Sequence, residues 1–189
     1  MYSQTSQTPS FLSFIFDDNQ HHKYLRLILI ACAVQFVVFK ILYPFPDFFS
    51  DSYSFIATAA KGENFNIWPI GYSKFLYAVR TVTSSSLAVV AIQYFVMTFS
   101  SLAFFFSILY FYSPSRQVTW ILFAFLFLNP AVLYLCNYIS SDPLFSGLSL
   151  LGLHNCCGFC TSPSVGTFGL MLCCCSLFLP CGITPCIIL

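Results

Sequence analysis

The chain has 189 residues, of which 58% are hydrophobic and only 7% are charged. Soluble domains carry about 25% charged residues, so this composition cannot cover a water-facing surface and indicates an integral membrane protein. The net charge of +1 argues against a nucleic-acid partner, because phosphate binding needs clustered Lys and Arg. Residues 1–23 lack the basic start, apolar core and cleavage site of a signal peptide and are expected to form a cytoplasmic tail.

Several apolar stretches are long enough to cross a hydrocarbon core about 30 Å thick as helices. Prolines at positions 44 and 46 end the first stretch, and Asn129-Pro130 interrupts the third. We expect an all-α, polytopic transmembrane helical bundle with about four or five spans of this length. The expected spans are residues 24–43, 87–112, 118–135 and a run from 144 to 153 and onward, within one domain of residues 24–153.

Basic residues suggest how the bundle is oriented. Lys23 and Arg26 lie at the start of the first span, and Arg116 lies in the turn between the second and third. The positive-inside rule assigns both positions to the cytoplasmic side. The polar loop of residues 44–86 and the segment 137–143 then face outward, so two acid-bearing segments share one side of the membrane.

The outward loop is expected to carry short helices. In "SDSYSFIATAAKG", Ser50 or Asp51 is a suitable N-cap and Gly62 suits the left-handed position after the helix. Its apolar side chains would let this helix lie on the membrane surface. They are Phe55, Ile56, Ala59 and Ala60.

A second short helix is expected from Tyr72 to about Val82, after the turn that begins at Pro69. Trp68 and Tyr72 have side chains suited to anchoring at the membrane interface. Both loop helices are therefore predicted to lie at the outer surface.

Asp51 and Asp142 are the candidate functional acids, and each has two interpretations. Either carboxylate can simply cap a helix start, which stabilises it by about 1 kcal/mol; Pro143 suits the first turn of such a helix. Alternatively, Asp51 is a general base or positions a substrate, and Asp142 lines a wet cavity with it. We interpret Asp47 as a solvated loop charge and Glu63 as a surface residue.

The histidines at positions 21, 22 and 154 have no metal-ligand spacing with a Cys or an acid. We therefore predict that they bind no metal.

The order of these motifs resembles the GT-C type membrane glycosyltransferases, especially protein O-mannosyltransferases and lipid A aminoarabinose transferases. "SDSYSFIATAAKG" matches the catalytic-acid segment of that family at Asp51, with Ser52 where the family usually has Glu. "WPIGYSKFL" resembles the segment before the second loop helix, without an acid often present there. "SSDPLFSGLSLL" places Asp142 on a second site acid. The resemblance covers residues 24–153.

The resemblance implies sugar transfer from a polyprenyl-phosphate donor to an acceptor on the outer face of a bacterial cell (inner) membrane. Asp51 would deprotonate or orient the acceptor hydroxyl, and Asp142 would position the acceptor or an ion. The departing lipid phosphate needs a basic residue or a divalent metal ion to offset its charge. Lys74 and Arg80 are the expected basic residues, and Tyr72 is a further expected substrate-binding residue.

The apolar tail, residues 154–189, contains eight cysteines and follows the last charged residue, Asp142. It has no zinc-type spacing, and a disulfide framework fits poorly in an apolar segment. Leucine codons read out of frame yield cysteine codons, so we favour a reading-frame change near Leu153 over a genuine Cys-rich tail. The chain would then be a truncated, inactive fragment.

Two other classes of function stay open. In a transporter or channel subunit, Asp142 would be an ion or proton site, although no internal repeat of the transporter type is visible. In a non-catalytic membrane protein, the acid-headed loop would have no chemical role.

Overall fold

The computed structural model describes residues 11–161, and these residues form eight α-helices and no β-strand. This confirms the all-α prediction. In chain order the helices are α1 (Phe11–Asp17), α2 (Asn19–Leu42), α3 (Ser50–Lys61), α4 (Ile70–Val82), α5 (Ser86–Tyr112), α6 (Arg116–Phe127), α7 (Pro130–Asn137) and α8 (Asp142–Thr161).

Within residues 11–161, three helical stretches are long and apolar enough to cross a membrane, judged by length and composition. They are α2, α5, and α6 together with α7, and they match the first three predicted spans. Helix α8 begins close to the fourth predicted run. A span count beyond three stays a prediction, and the reading-frame change predicted after Leu153 concerns residues that lie largely outside the described part.

The predicted interruption of the third span is confirmed as a break between α6 and α7. Helix α6 ends at Phe127, and the Asn129 side chain accepts a hydrogen bond from the Ala131 N–H at 3.0 Å. Pro130 occupies the first turn of α7. Asn129 therefore starts a new helix where Pro130 cannot continue the old one, because proline has no N–H to donate.

Helix α5 runs through the centre of the bundle and packs against α8, α6 and α7. The core around it is rich in phenylalanine, and Phe105 meets Phe106 and Phe127 edge to face, with ring centroids 5.6 Å apart. Cys32 and Cys136 are buried as free thiols in this core, as expected for small hydrophobic residues.

Helix α1 is an element that the sequence reading did not predict within the N-terminal tail. Phe11 and Phe14 pack edge to face on Tyr110 near the end of α5, at centroid distances of 5.7 and 5.1 Å. A ring nitrogen of His21 lies 2.7 Å from the carbonyl oxygen of Phe14. Part of the tail is therefore attached to the bundle.

Helices α3 and α4 confirm the two predicted loop helices, with Gly62 left-handed at φ 67°. The predicted N-cap is wrong by one residue, since Phe49 occupies that position and Asp51 lies in the first turn. The expected membrane-facing surface is also partly wrong. Phe55 and Ala59 are buried against α4 and α5 rather than exposed, because the two amphipathic helices cover each other's apolar faces.

The two acid-bearing segments lie at the same end of the bundle. There the end of α2 meets the end of α7, where the Tyr43 and Tyr134 hydroxyls are 2.7 Å apart. At the opposite end, the start of α2 meets the start of α6, where Tyr24 contacts Trp120. We call α3, α4 and residues 137–143 the cap.

Candidate functional site

The chain entering α3 pairs with the chain leaving α7 through their backbones. The Asp47 N–H donates to the Asn137 carbonyl at 3.1 Å, and the Ile139 N–H donates to the Asp47 carbonyl at 3.0 Å. Ninety residues of sequence separate these partners. The pairing fixes the segment before Asp51 beside the segment before Asp142.

Ser52 attaches the first turn of α3 to the same strand-like segment. Its buried hydroxyl donates to the Ile139 carbonyl at 2.6 Å and accepts a hydrogen bond from the Phe49 N–H at 2.9 Å. Ser52 directly follows Asp51, and Ile139 precedes Asp142 by three residues. The resemblance placed Ser52 where a glutamate is usual; in this chain the residue forms a structural contact of the cap.

A polar network closes the junction between α2, α7 and the loop. Asn137 is fully buried; its side-chain oxygen accepts from Lys40 Nζ at 2.5 Å, and its amide nitrogen donates to a carboxylate oxygen of Asp47 at 2.9 Å. Asp47 is exposed, as expected of a loop charge, but its carboxylate also has a protein partner. The sequence reading did not identify Asn137, because its partners are about 90 residues away.

Tyr72 and Gln93 connect α4 and α5 to the same segment. The Tyr72 hydroxyl donates to the Gln93 side-chain oxygen at 2.7 Å, and the Gln93 amide donates to the carbonyls of Cys136 and Tyr138 at 3.1 and 2.9 Å. Both side chains are almost completely buried. Gln93 is therefore a polar centre inside a stretch that reads as a continuous apolar span.

Tyr72 is not an interfacial anchor, so that expectation is wrong. Its ring is 1% exposed and packs edge to face on Phe55. Burial raises the pKa of Tyr72 above its ordinary value, and the negative charge of Asp142 raises it further. Trp68, by contrast, is exposed, as an anchor would be. The predicted contact between Tyr72 and a substrate stays a prediction.

Each of the two candidate acids accepts a hydrogen bond from a nearby serine hydroxyl. Asp51 is half-buried and accepts a hydrogen bond from the Ser50 hydroxyl at 3.2 Å; Asp142 is exposed and accepts one from the Ser140 hydroxyl at 3.4 Å. Among residues 11–161, neither carboxylate forms an ion pair. Each therefore keeps oxygen lone pairs that can accept a proton or a hydrogen bond from a ligand.

Two cavities border α4, and each contains one of the predicted basic residues. The Arg80 groove, about 200 Å³, lies between α3, α4 and the start of α5 and is mostly apolar. The Lys74 cleft, about 390 Å³, lies between the end of α3 and the start of α4 and is more polar. The residues lining these two cavities include neither Asp51 nor Asp142.

A divalent cation has no ready site in the described part of the chain. Among the residues whose side chains the structure describes, no three His, Cys, Asp or Glu side chains lie close enough together to hold a metal ion. These residues therefore do not fit a metal ion held by the protein alone.

The fold and the cap together define a class: a protein that is all-helical in its described part, with three candidate membrane spans and a hydrogen-bonded cap at one end. No protein-family model, curated protein or solved structure matches the chain.

Proposed function

We propose that the cap is the active-site region of a membrane glycosyltransferase, which moves a sugar from a polyprenyl-phosphate donor to an acceptor hydroxyl. The single observation that supports it best is the 2.6 Å hydrogen bond from Ser52 to Ile139. This bond joins the segment that contains Asp51 to the segment that precedes Asp142, so both carboxylates lie at the same end of the bundle. An enzyme of this kind needs acids from distant parts of the chain in one place.

Asp51 is the proposed general base. Its carboxylate takes the proton from the acceptor hydroxyl as that oxygen bonds to the anomeric carbon of the sugar. The bond between this carbon and the phosphate oxygen breaks, and its electron pair leaves with the lipid phosphate. Asp142 positions the acceptor, and its exposure leaves it accessible from water.

The Arg80 groove is the proposed site of the donor lipid. Its walls include Ile56, Leu76 and Val89, which suit a polyprenyl chain, and the exposed Arg80 stands at its edge beside a run of hydroxyl-bearing residues. A guanidinium can donate two parallel hydrogen bonds to phosphate oxygens. Arg80 would thus stabilise the charge that develops on the leaving phosphate.

The proposal also covers the surroundings of the site. We place the cap on the outer face of a bacterial cell membrane, with α8 as part of a fourth span. In this arrangement the polyprenyl chain enters the groove from the bilayer, while the acceptor approaches from water.

The test is sugar transfer by the full chain reconstituted in lipid vesicles with a radiolabelled polyprenyl-phosphate sugar. Replacing Asp51 by Asn removes the base and keeps the shape, so transfer should fall by about 100-fold or more. Asp17→Asn is the matched control, because Asp17 is exposed at the other end of the bundle. Equal rates of transfer for the unaltered chain and Asp51→Asn would overturn the proposal, whereas absence of transfer by the unaltered chain is what the reading-frame change near Leu153 predicts.

A further inference from the structure

The Lys74 cleft contains an unusual buried group. The Ser73 hydroxyl, on a residue only 2% exposed, is the one buried side-chain oxygen or nitrogen without a hydrogen-bond partner in the part of the chain whose side chains the structure describes. Such a group costs free energy. Neighbouring hydroxyls avoid this cost, since Ser52 donates to a carbonyl and Thr58 accepts from an amide. The Ser73 hydroxyl therefore has no partner within the described fold, and its residue lines the Lys74 cleft.

The other walls of the cleft offer mixed chemistry around that hydroxyl. Lys74 supplies a donor, Glu63 an acceptor, and Asn64 both. Glu63 also lies 3.5 Å from Lys61 Nζ, which offsets the charge of its carboxylate. Tyr77 adds an aromatic ring that is 55% exposed, which gives the cleft one flat apolar wall.

We propose that the Lys74 cleft binds an uncharged sugar ring. A sugar has several hydroxyls that donate and accept with Ser73, Glu63 and Lys74, and an apolar C–H face that packs on the Tyr77 ring. The cavity, about 390 Å³, lies within the roughly 300–1,000 Å³ range of small-molecule pockets.

This site does not depend on the proposed enzymatic activity, because it uses neither Asp51 nor Asp142. If the chain does transfer sugars, the cleft is where a glycosylated acceptor would be held. Binding without transfer, or transfer without binding, would separate the two proposals.

The test uses the full chain in lipid nanodiscs and saturation-transfer NMR with the methyl glycosides of glucose, galactose and mannose, each at about 10 mM to detect weak binding. We expect saturation transfer to at least one glycoside. Tyr77→Ala and Ser73→Ala should each weaken binding by about fivefold or more. Tyr53→Ala is the matched control, because that ring is 68% exposed on α3 and does not line the cleft.

Neither Tyr77→Ala nor Ser73→Ala is expected to disturb folding. Tyr77 is exposed, and Ser73→Ala removes a hydroxyl that has no internal partner, so helical circular dichroism should be unchanged in both. Three results would overturn the proposal: no glycoside signal above that of empty nanodiscs, undiminished binding by Tyr77→Ala, or a preference for inorganic phosphate that Lys74→Gln abolishes.

Discussion

The cap and the interior of the bundle use buried polar groups in different ways. In the bundle, Ser100 and Thr119 donate to the carbonyl four residues earlier in their own helix, and the Tyr94 hydroxyl of α5 donates to the Cys32 carbonyl of α2. At the cap, the bonds between distant segments are denser: Ser52 donates to the Ile139 carbonyl, and Gln93 of α5 donates to the Tyr138 carbonyl. Hydrogen bonds within a helix leave the packing of helices to apolar contacts, whereas bonds between distant segments fix where those segments lie.

This difference gives the two regions different roles. Helices in a membrane associate by close packing and a few polar contacts, since lipid is as apolar as the helix surfaces. The phenylalanine-rich interior fits that description. The cap has directional contacts at each junction, so it holds defined positions for the acids at 51 and 142. Substitutions in each region should test this difference in roles.

The largest structural effect is expected from Gln93→Leu. The substitution leaves the Tyr72 hydroxyl and the carbonyls of Cys136 and Tyr138 without their partner. The free energy of unfolding should fall by about 3 kcal/mol, since each buried unpaired group costs about 1–3 kcal/mol. Unfolding of the purified chain by SDS measures this loss. Gln117→Leu, at an exposed position in the first turn of α6, should have almost no effect; equal losses would contradict the assigned role of Gln93.

Asn137→Ala is expected to loosen the junction between α2, α7 and the loop. It removes the partner of Lys40 and Asp47, and it opens a small cavity at a fully buried position. We expect a loss of about 2 kcal/mol and faster proteolysis within residues 43–50. Asn19→Ala, at an exposed position where α2 begins, is the control, and unchanged proteolysis in Asn137→Ala would count against the network.

Ser52→Ala tests the contact on which the functional proposal rests. The loss should be about 1 kcal/mol, as for a single hydrogen bond, and amide exchange should rise in residues 137–143. Ser100→Ala is the matched bundle variant, because its bond to Val96 is local; it should leave exchange in the cap unchanged. The same result from both variants would remove the distinction between cap and bundle.

A labelling experiment should show which side of the membrane the cap faces, without a substitution in either region. The exposed lysines of the cap are Lys61 and Lys74, and Lys23 is exposed at the other end. In sealed vesicles of one orientation, a membrane-impermeant amine reagent followed by mass spectrometry should modify either the cap lysines or Lys23. Modification of Lys61 and Lys74 on opposite sides would contradict the arrangement of the cap.

Local signals in the sequence were sufficient to predict most of the helices. Gly62 marked the end of α3, Asn129-Pro130 marked the break in the third span, and the apolar runs gave three spans to within a few residues. These features depend on backbone conformation and hydrophobicity, which neighbouring residues determine. The prediction missed α1, whose packing on Tyr110 joins residues about a hundred positions apart.

Composition and periodicity are properties of short stretches. They were therefore sufficient to predict a helical, membrane-type chain with two helices in its polar loop. The packing of the helices determines three further features: Tyr72 is buried, Asp47 has a partner, and Gln93 holds residues 136–138 in place. Hydrogen bonds between residues 20 to 90 positions apart form when the helices pack. No pattern within a single segment encodes them.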